Sequence, residues 1–197
     1  MKIIVFSDIH QDWEALEKIT AKKADIYICL GDLSNRGKGL EKAGGMLAFL
    51  KEKLWLMPGN NETPAQIKAL SKKHGFIDFH GTIIEKNGFN LAGLGLVTPT
   101  PFNTPGETSE QEFEKAFKKF TGLKNLVLFV HNPPKNSIFD QIPNGAHVGG
   151  QVIRDFINNR LPLYFFSGHV HEHEGKIERI GKTTCFGVGK KGLELWL

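Results

Sequence analysis

Five short runs, apolar nearly throughout, constrain this chain more than any other feature. They are KIIVF (residues 2–6), DIYICL (25–30), KLWLM (53–57), NLVLFV (125–130) and LYFFS (163–167). A strand with one wet face alternates apolar and polar side chains, whereas an unbroken apolar run fits a strand covered on both faces. Longer amphipathic segments lie between the runs, so the pattern predicts an α/β fold of sheets sandwiched by helices.

The helix starts are marked chemically. Asp12 is placed to cap a helix running to about Ala21, with Trp13, Leu16 and Ile19 on one face. Thr63-Pro64-Ala65-Gln66 combines a capping-box spacing with proline at the first helical position, and Ser109-Glu110-Gln111-Glu112 repeats the spacing before Phe113, Phe117 and Phe120. Residues 39–52 form a weaker helix candidate because Gly44-Gly45 interrupts them. Residues 151–159, QVIRDFINN, predict the last helix. Lys86-Asn87-Gly88 signals a hairpin within 76–96, and 174–196 reads as a meander turning at Gly181-Lys182 and near Lys190-Lys191-Gly192. The proline-rich stretch 98–108 is the one long loop, expected to form a lid or rim.

With 197 residues and 40% hydrophobic content, one core and one domain over 1–197 suffice. The net charge of +4 comes from lysine pairs dispersed along the chain, a solvated surface with weak attraction for anions. It permits a nucleic-acid partner but does not favour one, since no nucleic-acid-reading module is present. Cys29 and Cys185 are far apart and outside any Cys-x-x-Cys, which fits small core residues in a reducing compartment. The opening MKIIVF is too short for a signal peptide's apolar region and no run approaches membrane-spanning length, so a cytoplasmic protein without a membrane partner is expected. The oligomeric state is left open.

Polar residues cluster just after the predicted strands. Asp8 and His10 follow the first, Asp32 the second, Asn60 the third, His131 the fourth, and His169 and His171 the fifth. Ligands in open α/β folds bind where the carboxyl ends of strands deliver their loops to one crevice. Each residue alone has a bland reading as a turn, core or surface residue. Nitrogen and oxygen donors recurring at corresponding places after successive buried strands instead point to a metal site. Seven donors exceed a tetrahedral zinc site and suit two ions sharing a carboxylate. The mixture of imidazole, carboxylate and amide admits Mn, Fe, Zn, Co or Ni. The carboxylates Asp8 and Asp32 offset only half the charge of two divalent ions, which favours an anionic substrate.

In order, DIH, GDLSNRG, GNNE, His131-Asn-Pro-Pro and GHVH resemble the blocks of the calcineurin-like metallophosphoesterases, over nearly the whole chain. The segment from Gly145 to Gly175 is similar to the small phosphodiesterase-type branch. The resemblance implies a four-layer αββα sandwich of two mixed sheets flanked by helices. It also implies that Asp8, His10 and His171 hold one ion, that Asn60, His131 and His169 hold the other, and that Asp32 bridges them. Hydrolysis of a small phosphate ester, leaning to diesters, by a hydroxide bridging the two ions is the implied reaction. Arg36 matches an arginine that contacts substrate phosphate in the protein-phosphatase branch, which has an acid where Asn35 stands.

The departure is Asn61. The family motif reads Gly-Asn-His-acid, its histidine donating a proton to the leaving group or touching phosphate. An amide can hydrogen-bond a phosphate oxygen but cannot pass a proton near neutral pH. A positioned general acid contributes ~10²- to 10⁴-fold, so its loss falls hardest on poor leaving groups. His147, flanked by glycines in NGAHVGG, is one candidate replacement and otherwise a turn residue; a metal-bound water is another. His173 and Glu174 fit a hairpin rim, His74 and His80 read as structural, and Glu62 reads as an acid favouring the start of the next helix. Two rival functions remain: a nuclease of the same family, and a catalytically weak or inactive metal-binding scaffold.

Overall fold

A computed structural model describes all of residues 1–197 as two mixed β-sheets with five α-helices. The first sheet has the order β11 (Leu193–Trp196), β1 (Lys2–Phe6), β2 (Ile26–Cys29), β3 (Leu54–Leu56), β4 (Ile77–Asp78). The second runs β5 (Thr82–Lys86), β6 (Phe89–Leu94), β7 (Leu126–Val130), β8 (Tyr164–Ser167), β10 (Thr183–Gly187), β9 (Ile177–Ile180). All five predicted strands form, and each lies inside a sheet.

Alternation along these strands builds three apolar layers, because successive side chains leave a strand on opposite faces. Ile4, Phe6, Tyr27, Cys29, Leu54 and Leu56 point outward to α1 (Trp13–Ala21), α2 (Leu40–Leu47) and α3 (Pro64–His74). Ile3, Val5, Ile26, Ile28 and Trp55 meet Val127, Phe129 and Phe166 between the sheets. Leu126, Leu128 and Val130 pack on the far side with Phe113 and Phe117 of α4 (Glu110–Lys118) and Phe156 of α5 (Gln151–Arg160). The four-layer sandwich is therefore the observed fold. Between the sheets Phe129, Phe166 and Phe186 sit in register on β7, β8 and β10, and neighbouring rings stack at 4.9 Å. Such pairs contribute about 1 kcal/mol each beyond their burial.

The capping signals are realised. Asp12 accepts from the Ala15 N–H, Thr63 and Gln66 form the reciprocal capping box, and Ser109 accepts from Glu112. Helix α5 has no side-chain cap of its own at Gly150, and the Glu110 carboxylate supplies one by accepting from the N–H groups of Gln151 and Val152. The glycine pair in α2 has a packing reason. A Cβ at Gly44 would lie 2.6 Å from Leu70 and 3.0 Å from His74 on α3, so this glycine lets the two helices approach closely. The helix ends at Leu47 and a 3₁₀ turn over Ala48–Lys53 completes the predicted segment.

Of the two antiparallel segments, the first forms its hairpin as expected and the second needs correction. Asn87-Gly88 turns the β5–β6 hairpin as predicted, but β4 belongs to the other sheet. The carboxy-terminal segment is not a continuous meander. After the β9–β10 hairpin the chain crosses over, and β11 pairs antiparallel with β1 in the first sheet. Local turn chemistry marks where a chain bends, not which sheet edge accepts the next strand. No helix is long and apolar enough to cross a membrane.

Candidate metal centre

Strands β1, β2 and β3 run parallel, as do β6, β7 and β8, so in each sheet their carboxyl ends share an edge. The predicted donors gather there. Within hydrogen-bonding range, the Asn60 side-chain oxygen lies 2.9 Å from His169 Nδ1 and 3.3 Å from His131 Nε2. On the other flank His10 Nε2 lies 3.2 Å from His171 Nε2, and Asp8 Oδ1 lies 3.6 Å from His171 Nε2. Between the two groups Asp32 Oδ2 is 3.5 Å from His10 Nε2 and 3.6 Å from His131 Nε2. Two sets, Asp8–His10–His171 and Asp8–Asp32–His131, bring their donor atoms within 4.8 Å of one another.

The donor set fits divalent ions. Donor atoms that repel unless a cation or proton separates them sit 2.9–3.6 Å apart, close to the ~3.4 Å edge of a tetrahedron with ~2.1 Å metal–ligand bonds. Asp8 Oδ1 is buried with no hydrogen-bond partner, a costly state for a carboxylate oxygen unless a cation faces it.

Local backbone geometry is spent on this arrangement. Asp8, His10, Asp32 and His169 all have left-handed φ, between 45° and 74°, where a side chain costs about 1 kcal/mol or more. Glycines precede Asp32, Asn60 and His169, and two of them allow the loops to touch. Gly31 has φ 119°, and a Cβ there would lie 2.1 Å from the Gly59 nitrogen; one on Gly59 would lie 2.0 Å from Asp32 Oδ1.

The electrostatics follow from burial. Asp32 is pushed up to about 7, first by burial and then by the Asp8 charge. Burial pushes Asp8 upward too, but the His171 imidazole 3.6 Å away and the field of His131 prevail and hold it below the carboxylate range. Burial lowers His131 to about 4 and, with His131 nearby, His169 to about 3, so both are neutral and able to ligate. His171 is raised by the neighbouring Asp8 carboxylate.

Surrounding groups fix the imidazole orientations. His131 Nδ1 donates to the Leu30 carbonyl at 3.1 Å, turning Nε2 toward Asn60 and Asp32. His10 Nδ1 meets the Asn35 side-chain oxygen at 2.8 Å, so Asn35 holds that imidazole. Asn35 lies inside GDLSNRG, where the only sequence signal was its departure from an acid. Glu62 is corrected: it is fully buried and accepts from the N–H groups of Asp32 (3.0 Å), Ser34 (2.9 Å) and Gly59 (3.2 Å) and from the Ser34 hydroxyl (2.6 Å). It ties the loops after β2 and β3 together rather than serving a helix end. Burial, then Asp32, pushes its carboxyl up to about 7.

Asn61 is engaged with the protein at both ends of its amide. Nδ2 donates to Asp32 Oδ2 at 2.7 Å, its backbone N–H donates to Asp32 Oδ1 at 2.8 Å, and its Oδ1 accepts from the Arg36 N–H at 3.0 Å. The Arg36 guanidinium donates to the carbonyls of Phe102 (2.6 Å) and Asn103 (3.2 Å), strapping the tip of the proline-rich loop. That loop's base is held where the Gly106 N–H donates to the Asn60 carbonyl. His147 is not among the clustered donors; its Nδ1 pairs with Asp140 at 2.7 Å. His173 is buried and bonded to the Gln141 carbonyl, not at a hairpin rim, and Glu174 accepts from the Lys191 N–H. His80 accepts from the Gly95 N–H and His74 stacks on Phe76, both structural as expected.

A cleft of about 250 Å³ lined by Asp8, His10, Asp12, His171, Glu174 and Lys190 opens beside the Asp8–His10–His171 group. A larger groove of about 590 Å³ between α4 and α5 contains none of the donors, so size alone is a poor guide to the chemistry here.

The family model for calcineurin-like phosphoesterases matches residues 1–173. The uncharacterized protein MJ1162 of Methanocaldococcus jannaschii is 33% identical over 198 residues, covering 97% of this chain and 89% of that protein. Among solved structures, TT1561 of Thermus thermophilus superposes with TM-score 0.68 at 17% identity, covering 96% of this chain and 90% of its own. The phosphopantetheinyl hydrolase PptH of Mycobacterium tuberculosis gives 0.69 at 13% identity, also covering 96% and 90%. These two likenesses concern the fold.

Proposed function

The chain belongs to the calcineurin-like phosphoesterases, and on that premise we propose that it hydrolyses phosphate esters, leaning to diesters, with two divalent ions. Asp8, His10 and His171 would hold one ion, Asn60, His131 and His169 the other, and Asp32 would bridge them. The observation that carries this reading is the convergence of seven donors from both sheets, one of which, Asp8, keeps a buried carboxylate oxygen without a hydrogen-bond partner. When bound, the ions supply Lewis-acid polarisation of the phosphoryl group and an activated water; Mn, Fe, Zn, Co and Ni all suit the ligands.

The protein's own groups do the rest. Neutral His131 and His169 present lone pairs, Asn35 and the Leu30 carbonyl lock imidazole orientation, and Asn60 adds a ligand without adding negative charge. Arg36 and Asn61 are the proposed phosphate contacts. The guanidinium keeps N–H groups beyond the two that strap the loop, since it carries five.

Manganese-loaded protein assayed on a bis-aryl phosphate and on an aryl phosphate tests the reading, with faster turnover of the diester expected. The absence of a protonatable group at Asn61 favours the second reading, a metal-binding scaffold with little catalysis. No turnover of either ester with two ions bound would establish that reading and discard the first.

A further inference from the structure

With Asn61 unable to pass a proton, an ester with a poor leaving group needs another donor. The excursion between β7 and α5 contains one built pair. Asp140 is fully buried, and its carboxylate accepts from the N–H groups of Asn136 (3.1 Å), Ser137 (2.9 Å) and Gly149 (3.0 Å). His147 Nδ1 adds a fourth contact at 2.7 Å, while its Nε2 has no protein partner and its side chain remains 35% exposed. A carboxylate already satisfied by three backbone donors does not need an imidazole for its own burial. What the pairing does is hold Nδ1–H in place and leave Nε2 as the group that exchanges protons.

The pair is anchored between segments that carry proposed ligands. On one side the Gly150 N–H donates to the Pro133 carbonyl at 2.9 Å, and a Cβ at Gly150 would lie 3.0 Å from the Asn132 amide, next in sequence to His131. On the other side His173, at the end of the turn that begins with His171, bonds the carbonyl of Gln141. Gln141 is in turn the antiparallel bridge partner of His147.

We propose that His147 donates the proton to the leaving oxygen and that Asp140 is its positioning residue. The inference rests on the phosphoesterase reading. In the step, an oxygen from water bonds to phosphorus, that water's proton having passed to solvent. The phosphorus–oxygen bond to the leaving group breaks with its electron pair on the leaving oxygen. The Nε2 proton of the His147 imidazolium moves to that oxygen and releases an alcohol; the imidazole then takes a proton from solvent.

Metal-loaded His147→Gln protein is assayed on two diesters, one with a nitrophenyl and one with an alkyl leaving group, with ions per chain and melting measured alongside. General-acid loss scales with leaving-group basicity, so kcat/KM on the alkyl ester should fall ~10²- to 10⁴-fold, at least tenfold more than on the nitrophenyl ester. Asp140→Asn should show the same asymmetry. In metal-free wild-type protein, nitrogen NMR should show the Nδ1–H form of neutral His147, and Asp140→Asn should lose it. Equal losses on both esters, or none, in His147→Gln with two ions bound would overturn the assignment while leaving the phosphoesterase reading intact. If wild-type protein turns over neither ester, both fail together. Because His147 is on an exposed loop, the first variant stays informative even if Asp140→Asn does not fold.

Discussion

At the residue scale, what distinguishes this centre is how few of its groups act alone. His10 depends on Asn35, which fixes the ring with a neutral amide where the protein-phosphatase branch has an acid. Asn35→Leu should therefore retain the fold yet weaken binding of one ion about 10- to 100-fold, read by metal titration calorimetry. Unchanged affinity for both ions would show that Asn35 does not orient a ligand. The ionisation pattern makes a second prediction. Asp32, held up to about 7 in the metal-free protein, is mostly protonated at pH 6 and must lose that proton to bind a cation. His171, raised by Asp8, adds to the effect, whereas His131 and His169, lowered to about 4 and about 3, are already neutral. Metal loading should release more protons at pH 6 than at pH 8, measured by calorimetry in buffers of different ionisation enthalpy. Equal release at both would contradict this balance.

At the element scale, the site is a set of strand ends held together by short loops, and Glu62 is the clamp between two of them. Removing its carboxylate strands the N–H groups of Asp32, Ser34 and Gly59 in a buried position. Each unsatisfied donor costs about 1–3 kcal/mol, so Glu62→Ala should lower unfolding free energy by about 3 kcal/mol or more. A denaturant midpoint within error of wild type would rule out the clamp. The glycine-first pattern was visible in the sequence as Gly-Asp, Gly-Asn and Gly-His. Its reason was not, because the contact between Gly31 and Gly59 joins residues far apart in the chain.

At the scale of the whole molecule, Asp8, His10, Asp32 and Asn60 follow strands of the first sheet, and His131, His169 and His171 follow strands of the second. Bound ions would therefore staple the two sheets at one edge, where the inter-sheet apolar layer gives way to polar loops. A ligand present at 100 times its Kd stabilises the native state by about 2.7 kcal/mol. Chelation should lower the melting temperature of metal-loaded protein in one cooperative transition, followed by calorimetry. An unchanged melt would mean that the ions do not join the sheets.

The layers were legible in the sequence alone. Burial on both faces leaves an unmistakable mark in runs such as IIVF and LVLFV, and capping chemistry is local, so Asp12, Thr63 and Ser109 could be placed without coordinates. The sequence also marked the donors after each strand, since strand ends are local features. Contacts between distant segments became visible only in the folded chain: the crossing of β11 to the first sheet, the clamp at Glu62, the Asn35–His10 and Asp140–His147 pairs, and the strap from Arg36 to Phe102. None has a periodicity or a spacing to read. Hydrogen bonds between loops depend on where the sheets bring those loops, and that placement is settled by packing of the whole core.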